Sequence, residues 1–187
     1  MKPSIAVFLI AFLVGCKKKE VDPHLLPEKG IVINLCPSGK ADTETYFSIP
    51  DLLRCGAPAI TVGNIIASLS RDELSSPSLD CKDSEPQNGQ RIKFTQASAI
   101  RLDVSYYKNI GRIVFDASAF NDDVGAIANC RITLNDTDGK TIEVITFASM
   151  ELVPKNYSTT KNMANLKEVV ITCGRSAGSI GDITLMR

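Results

Sequence analysis

From Arg91 onward the chain repeats one pattern, and that pattern limits what it can fold into. Seven runs follow one another: "RIKFTQ", "SAIRLDVSYY", "IGRIVFDAS", "NCRITLND", "KTIEVITF", "LKEVVITCG" and "GDITLMR". Several alternate strictly, as in Ile100, Leu102 and Val104 against Arg101, Asp103 and Ser105. Successive side chains of a strand point to opposite faces, so period two with β-branched residues predicts half-buried strands. Gly, Asn, Asp and Ser separate the runs, and no 11-residue window carries a helical stripe. Regularly spaced short strands of this kind predict an all-β fold, an antiparallel β-sandwich or barrel.

The first ninety residues are less regular. Residues 30–35 and 43–49 read as strands. The stretch "ITVGNIIASLS" at 60–70 has the apolar content of a strand but also fits a short helix. Residues 71–90 are polar, contain Pro77, Pro86 and Gly89, and read as a loop, with room for a helical turn near Asp72–Leu74. In "LNDTDGKTI" at 134–142 the acidic residues invite a calcium loop. However, Leu134 stands where such a loop needs its first ligand, and Ile145 stands where it needs the closing Glu. A hairpin turning at Asp138-Gly139 accounts for the stretch. Structural Ca²⁺ stays open as a cofactor, and no other is expected.

The N-terminus carries a different signal. Lys2 is the only charge before Cys16, and Ile5 to Val14 has no polar side chain. Ten residues are too few to cross a hydrocarbon core, which needs about 20. They fit the apolar region of a secretory signal. Leu13-Val14-Gly15-Cys16 resembles the lipobox of bacterial lipoproteins. That resemblance implies cleavage before Cys16, diacylglycerol on its thiol and an anchor in the bilayer. Residues 1–15 are then signal peptide, residues 16–29 a tether, and residues 30–187 one domain. Each buried methylene contributes about 0.8 kcal/mol, so two or three acyl chains give stable attachment. Lys17, Lys18 and Lys19 would lie beside the headgroups, and the lysine after Cys16 favours the outer over the inner membrane of the cell envelope. Pro23 and Pro27 argue against a strand in the tether.

Charge excludes one class of partner. The chain has 21 basic and 21 acidic residues and no basic stripe, so nucleic acid is not expected. Cysteine usage excludes another class of site. Cys36, Cys55, Cys81, Cys130 and Cys173 form no C-x-x-C, and the single histidine, His24, falls in the tether. That is no zinc pattern, and no metal site is expected. An exported chain can oxidise these thiols. Five is odd, and spacing does not give connectivity; Cys36 with Cys55 is one pairing among several.

Residues 91–187 also resemble a known group. Ile113-Val114-Phe115, the Asp138-Gly139 hairpin and "LKEVVITCGRSAGSIGDITLM" look like the jelly-roll, galactose-binding-like sandwich of carbohydrate-binding modules. In that group a Leu-x-x-Val/Ile-x-Ile strand, a Ser/Gly turn and a Gly-Asp-Ile-x-Leu strand close the domain. Here these are Leu166 to Cys173, Gly174 to Ser179, and Gly181 to Leu185. Asp182 would then bond within the closing turn. The resemblance implies glycan or calcium binding. Sugar recognition generally takes an aromatic platform with convergent polar groups. The chain has no Trp. The candidates are Tyr106 and Tyr107 with Lys108, and the loop Asn121-Asp122-Asp123. As adjacent strand residues, the two tyrosines would face opposite sides.

No enzyme signature appears. No histidine lies within residues 30–187, no G-x-S-x-G occurs, and "CGRSAGSIG" lacks the Lys-Ser/Thr ending of a phosphate loop. Paired carboxylates, as in glycoside hydrolases, are set in three dimensions and stay open as a weaker alternative. The expectation is a non-catalytic, membrane-anchored binding module for glycan. The alternative is a structural lipoprotein that binds another envelope protein.

Overall fold

The computed structural model describes residues 22–35, 46–48, 58–71, 79–83, 90–94, 98–120, 130–147, 154–173 and 177–187. Among these, every regular element is a strand, and no helix is long and apolar enough to cross a membrane. Two sheets stack face to face as a β-sandwich.

One sheet has seven strands. Its main path is β11 (Lys155–Ser158), β8 (Arg112–Phe120), β13 (Ala177–Met186), β1 (Ile31–Asn34) and β2 (Tyr46–Ser48). β6 (Gln90–Phe94) also pairs with β13, and β5 (Leu79–Asp83) pairs with β6. The other sheet has six strands. Its order is β10 (Thr141–Phe147), β9 (Cys130–Asp136), β12 (Leu166–Cys173), β7 (Ser98–Asp103), β4 (Ile65–Arg71) and β3 (Ile60–Val62). All pairings are antiparallel except β1 with β2.

Alternation sets which side chains meet between the sheets. Ile31, Ile33, Phe115, Ile183 and Leu185 come inward from the first sheet. Ile100, Leu102, Ile132, Leu134, Val169 and Ile171 come from the second. Aromatic rings tie the layers together. Phe115 of β8 stacks on Tyr157 of β11, with centroids 5.3 Å apart, and meets Phe147 of β10 nearly edge-on at 6.3 Å. Offset and edge-on ring pairs of this kind add about 0.5–1.5 kcal/mol beyond their buried area.

The expected sandwich is present, with local differences. The ambiguous run at 60–70 is a hairpin, β3 to β4, turning at Gly63-Asn64. The expected loop 71–90 contains strand β5, whose ladder to β6 runs from Leu79 opposite Phe94 to Asp83 opposite Gln90. β11 was not legible in "KNYS"; it forms because it adds to the free edge of β8. The expected turn to Ser179 is shorter, because Ala177–Ser179 already belong to β13. The hairpin at 134–142 is as expected. Gly139 sits at φ +77°, and the Asp136 carboxylate accepts the amides of Asp138 and Lys140 at 2.9 and 2.8 Å.

The segment expected as tether is described from Asp22, and there it packs on the sandwich. Leu26 is 1% exposed and belongs to the core. Leu25 bridges Lys108, and the Lys108 amide donates to the His24 carbonyl at 2.7 Å. Pro23 and Pro27 do keep this segment from being a regular strand, but they do not keep it off the domain.

Candidate functional site

The tyrosine pair lies just past β7, not within it. The Asp103 carboxylate accepts the Ser105 amide at 2.9 Å, and the Tyr107 amide donates to the Val104 carbonyl at 3.0 Å. That turn, rather than strand alternation, places the two rings. Tyr107 is buried, and burial pushes its phenol above the usual tyrosine range against an opposing hydrogen bond to Asn64. Tyr106 is half-buried. Its ring lies 4.4 Å from the His24 ring and meets Tyr107 edge-on at 5.2 Å. Lys108 is exposed and faces Asp22 at 3.8 Å. A hydrogen bond from the His24 amide holds the Asp22 carboxyl below its usual range; burial opposes it, and the charge of Lys108 adds to it. Tyr106 and Lys108 thus form the seam on which residues 22–26 dock, and Tyr107 belongs to the core beside them. They do not form an open platform. Asn121, Asp122, Asp123, Cys36 and Cys55 lie outside the described residues.

A different group of polar side chains comes together on the outward face of the seven-stranded sheet. It is organised by β13. Along one edge β13 pairs with β8 from Ala177 to Met186, with a bulge between Ile180 and Ile183. Along the other edge it pairs with β6 at Gly178–Ile180 and with β1 at Ile183–Leu185. Gly181 and Asp182 sit at the junction, where one ladder has ended and the next has not begun. A bulge leaves an extra residue unpaired and re-aims side chains.

Four strands supply groups around that junction. Asn34, the last residue of β1, donates from Nδ2 to Asp182 Oδ1 at 2.7 Å. Asp182 is exposed, whereas Asn34 is buried. From β8, Asp116 projects outward between the core residues Phe115 and Ala117. Its carboxylate lies over Gly181 so closely that a Cβ there would overlap it. Further along, the hydroxyls of Ser118 and Ser179 meet at 2.7 Å, both buried. Asn156 of β11 is the register partner of Asp116 and is exposed. Two carboxylates, a primary amide and two hydroxyls are thereby held in fixed positions on one sheet face. Of these, Asp182 is exposed and Asp116 half-buried, while Asn34, Ser118 and Ser179 are buried beneath them, so the two carboxylates are the groups open to a ligand rich in hydroxyl groups.

Asp182 was singled out from the sequence as bonding within a closing turn. It instead lies inside β13, and its partner is 148 residues away. Asn34, Asp116, Ser118, Ser179 and Gly181 were not found. The available signal was a polar residue between apolar ones, as in "VFDAS". That signal marks an outward position and not which strands stand beside it.

A second polar strip crosses the outward face of the six-stranded sheet. Arg101 donates to Glu168 Oε1 at 3.0 Å, Asn135 to Glu168 Oε2 at 3.1 Å, and Thr141 to Asn135 at 3.1 Å. Here the charges satisfy one another in a row. No group of three or more His, Cys, Asp or Glu side chains suited to a metal ion occurs among the described residues.

No family model matches the chain, and no curated protein matches it. Solved structures do. One is TmCBM61 in complex with β-1,4-galactotriose, 15% identical, with a TM-score of 0.48, covering 65% of this chain and 88% of that one. Another is the CBM22-1 xylan-binding domain of Paenibacillus barcinonensis Xyn10C, 12% identical, with a TM-score of 0.40 and coverage of 64% and 86%. A third is CBM51 of Clostridium perfringens GH95 in complex with methyl-galactose, 13% identical, with a TM-score of 0.42 and coverage of 64% and 92%. These are carbohydrate-binding modules, the group whose strand pattern the sequence resembles. At such identities and TM-scores, no ligand and no binding residue passes from them to this chain.

Proposed function

We propose that this chain is a non-catalytic binding module for a hydroxyl-rich ligand, a glycan, held on the bacterial envelope by a lipid on Cys16. The observation that supports the ligand is the pair of carboxylates around Gly181, Asp116 and Asp182, with the buried Asn34 holding Asp182 in place. Carboxylates and amides suit sugar hydroxyls because each offers paired acceptor or donor positions. Tyr106 and Tyr157 are half-buried, and the ligand reading rests on the polar groups.

The non-catalytic reading has its own support. Glycoside hydrolysis takes two carboxyl groups on opposite sides of the scissile bond. Asp116 and Asp182 instead flank Gly181 along one sheet face, and Asp182 is already bonded to Asn34. The protein-partner alternative gains less. Ile66 and Val144 are the large apolar side chains exposed among the described residues. They share the outward face of the six-stranded sheet but stand four strands apart, about 20 Å at the usual strand spacing. Apolar residues scattered singly are ordinary surface.

The docked segment bears on the anchor. Six peptide steps separate Cys16 from Asp22. Fully extended, they span about 20 Å. A lipidated chain would therefore hold the sandwich close to the headgroups, with outer-membrane placement favoured by Lys17.

The test is a glycan array with the chain from Lys17 onward, alongside Asp182→Asn and Asp116→Asn. The expected result is saturable binding, weakened at least tenfold in the variants while they remain folded at the assay temperature. No binding by folded protein overturns the ligand reading, and release of reducing sugar overturns the non-catalytic one. Mass spectrometry of the mature N-terminus tests the anchor, which an unprocessed or unacylated Cys16 would sink.

A further inference from the structure

Cys130 opens β9, and Cys173 closes β12. These strands are antiparallel neighbours in the middle of the six-stranded sheet, and their register sets Cys173 directly opposite Cys130. Directly opposed residues of an antiparallel pair project to the same face, with Cα atoms about 4.5–5.5 Å apart. That separation falls within the roughly 4.4–6.8 Å a disulfide needs. Cys130 lies on the core face with Ile132 and Leu134 and is fully buried. Its sulfur is in a disulfide.

We infer that the partner is Cys173, so that a cross-strand disulfide joins β9 to β12. Two and four residues before Cys173 on β12, Ile171 and Val169 are core residues, as Ile132 and Leu134 are after Cys130 on β9. Cys81 is placed differently: it lies on β5 of the other sheet, opposite Ile92. The pairing does not depend on the ligand reading.

The chemistry balances through thiol–disulfide exchange. The two thiols lose two protons and two electrons as the S–S bond forms. A disulfide-bearing oxidant, protein or small molecule, takes up both and leaves as two thiols. Such bonds form and persist in oxidising compartments, in keeping with export. With Cys16 lipidated as proposed, Cys36, Cys55 and Cys81 remain, so at least one thiol then stays unpaired within the chain.

The test is peptide mapping of the exported full chain, unfolded and alkylated without reductant. The expected product joins the Cys130 and Cys173 peptides, is two hydrogens lighter than their sum, and separates on reduction. Cys173→Ser should expose Cys130 to alkylation after unfolding. Alkylation of both wild-type cysteines without reductant overturns the inference, as does linkage of Cys130 to any other cysteine. The wild-type map decides even if the variant does not fold.

Discussion

Asn34 reaches across the gap between two half-ladders to hold Asp182, with Nδ2 2.7 Å from Oδ1. The bond lies between the stretch of β13 that pairs with β6 and the stretch that pairs with β1. It fixes the exposed carboxylate of the proposed site. Asn34→Ala removes the donor and is expected to lower stability by about 1–2 kcal/mol, in the range for lost bonds to charged groups. Denaturant melts of both proteins check this. A change below a few tenths of a kcal/mol would mean the bond is not maintained in solution.

Gly181 lies against Asp116. A Cβ at residue 181 would overlap the Asp116 carboxylate, which must then swing aside. Gly181→Ala is therefore expected to cost about 1 kcal/mol, the low end of the range for overpacking. The double variant with Asp116→Ala should recover part of that loss. Strictly additive effects in the double-mutant cycle would argue that the two residues do not touch.

Residues 22–29 are expected to behave as part of the domain. Leu26→Ala should cost about 2–5 kcal/mol, the usual range for truncating a buried leucine. A chain starting at Gly30 should melt well below one starting at Lys17. Equal melting temperatures would return these residues to the role of a free tether.

Glu143 gives a pH-dependent contribution. Burial works against its charge, but the Thr160 hydroxyl at 2.8 Å and the Lys161 and Thr160 amides at about 3.1 Å outweigh it and hold its pKa below the usual 4.5. A depressed carboxyl pKa contributes stability above the unfolded value, and that contribution is lost as pH falls through the folded value. The stability gap between wild type and Glu143→Gln should therefore be constant near neutral pH and shrink below about pH 5. Exposure and screening hold it under about 1 kcal/mol. A gap that grows on acidification would contradict the sign.

Much of the fold was legible because strand alternation is a local property. Ile100-Leu102-Val104 and Ile132-Leu134 announce their inward faces, and Asp138-Gly139 announces its hairpin, within a few residues of sequence. β11 was not legible, because "KNYS" becomes a strand only by borrowing the edge of β8. The tyrosine pair was misplaced for a related reason. The Asp103 turn ends β7 before Tyr106, and His24, 82 residues away, then covers the ring.

What the sequence determined by itself was the class of fold, the inward face of most strands and the candidate anchor at Cys16. Each rests on residues near one another in the chain. The tertiary structure alone decided that β1 and β6 share one edge of β13, that Asn34 meets Asp182 there, and that Asp116 lies over Gly181. Those contacts depend on register between strands far apart in sequence. Register is set by the whole hydrophobic pattern packing at once, because a slip of one residue would turn an entire inward face to solvent.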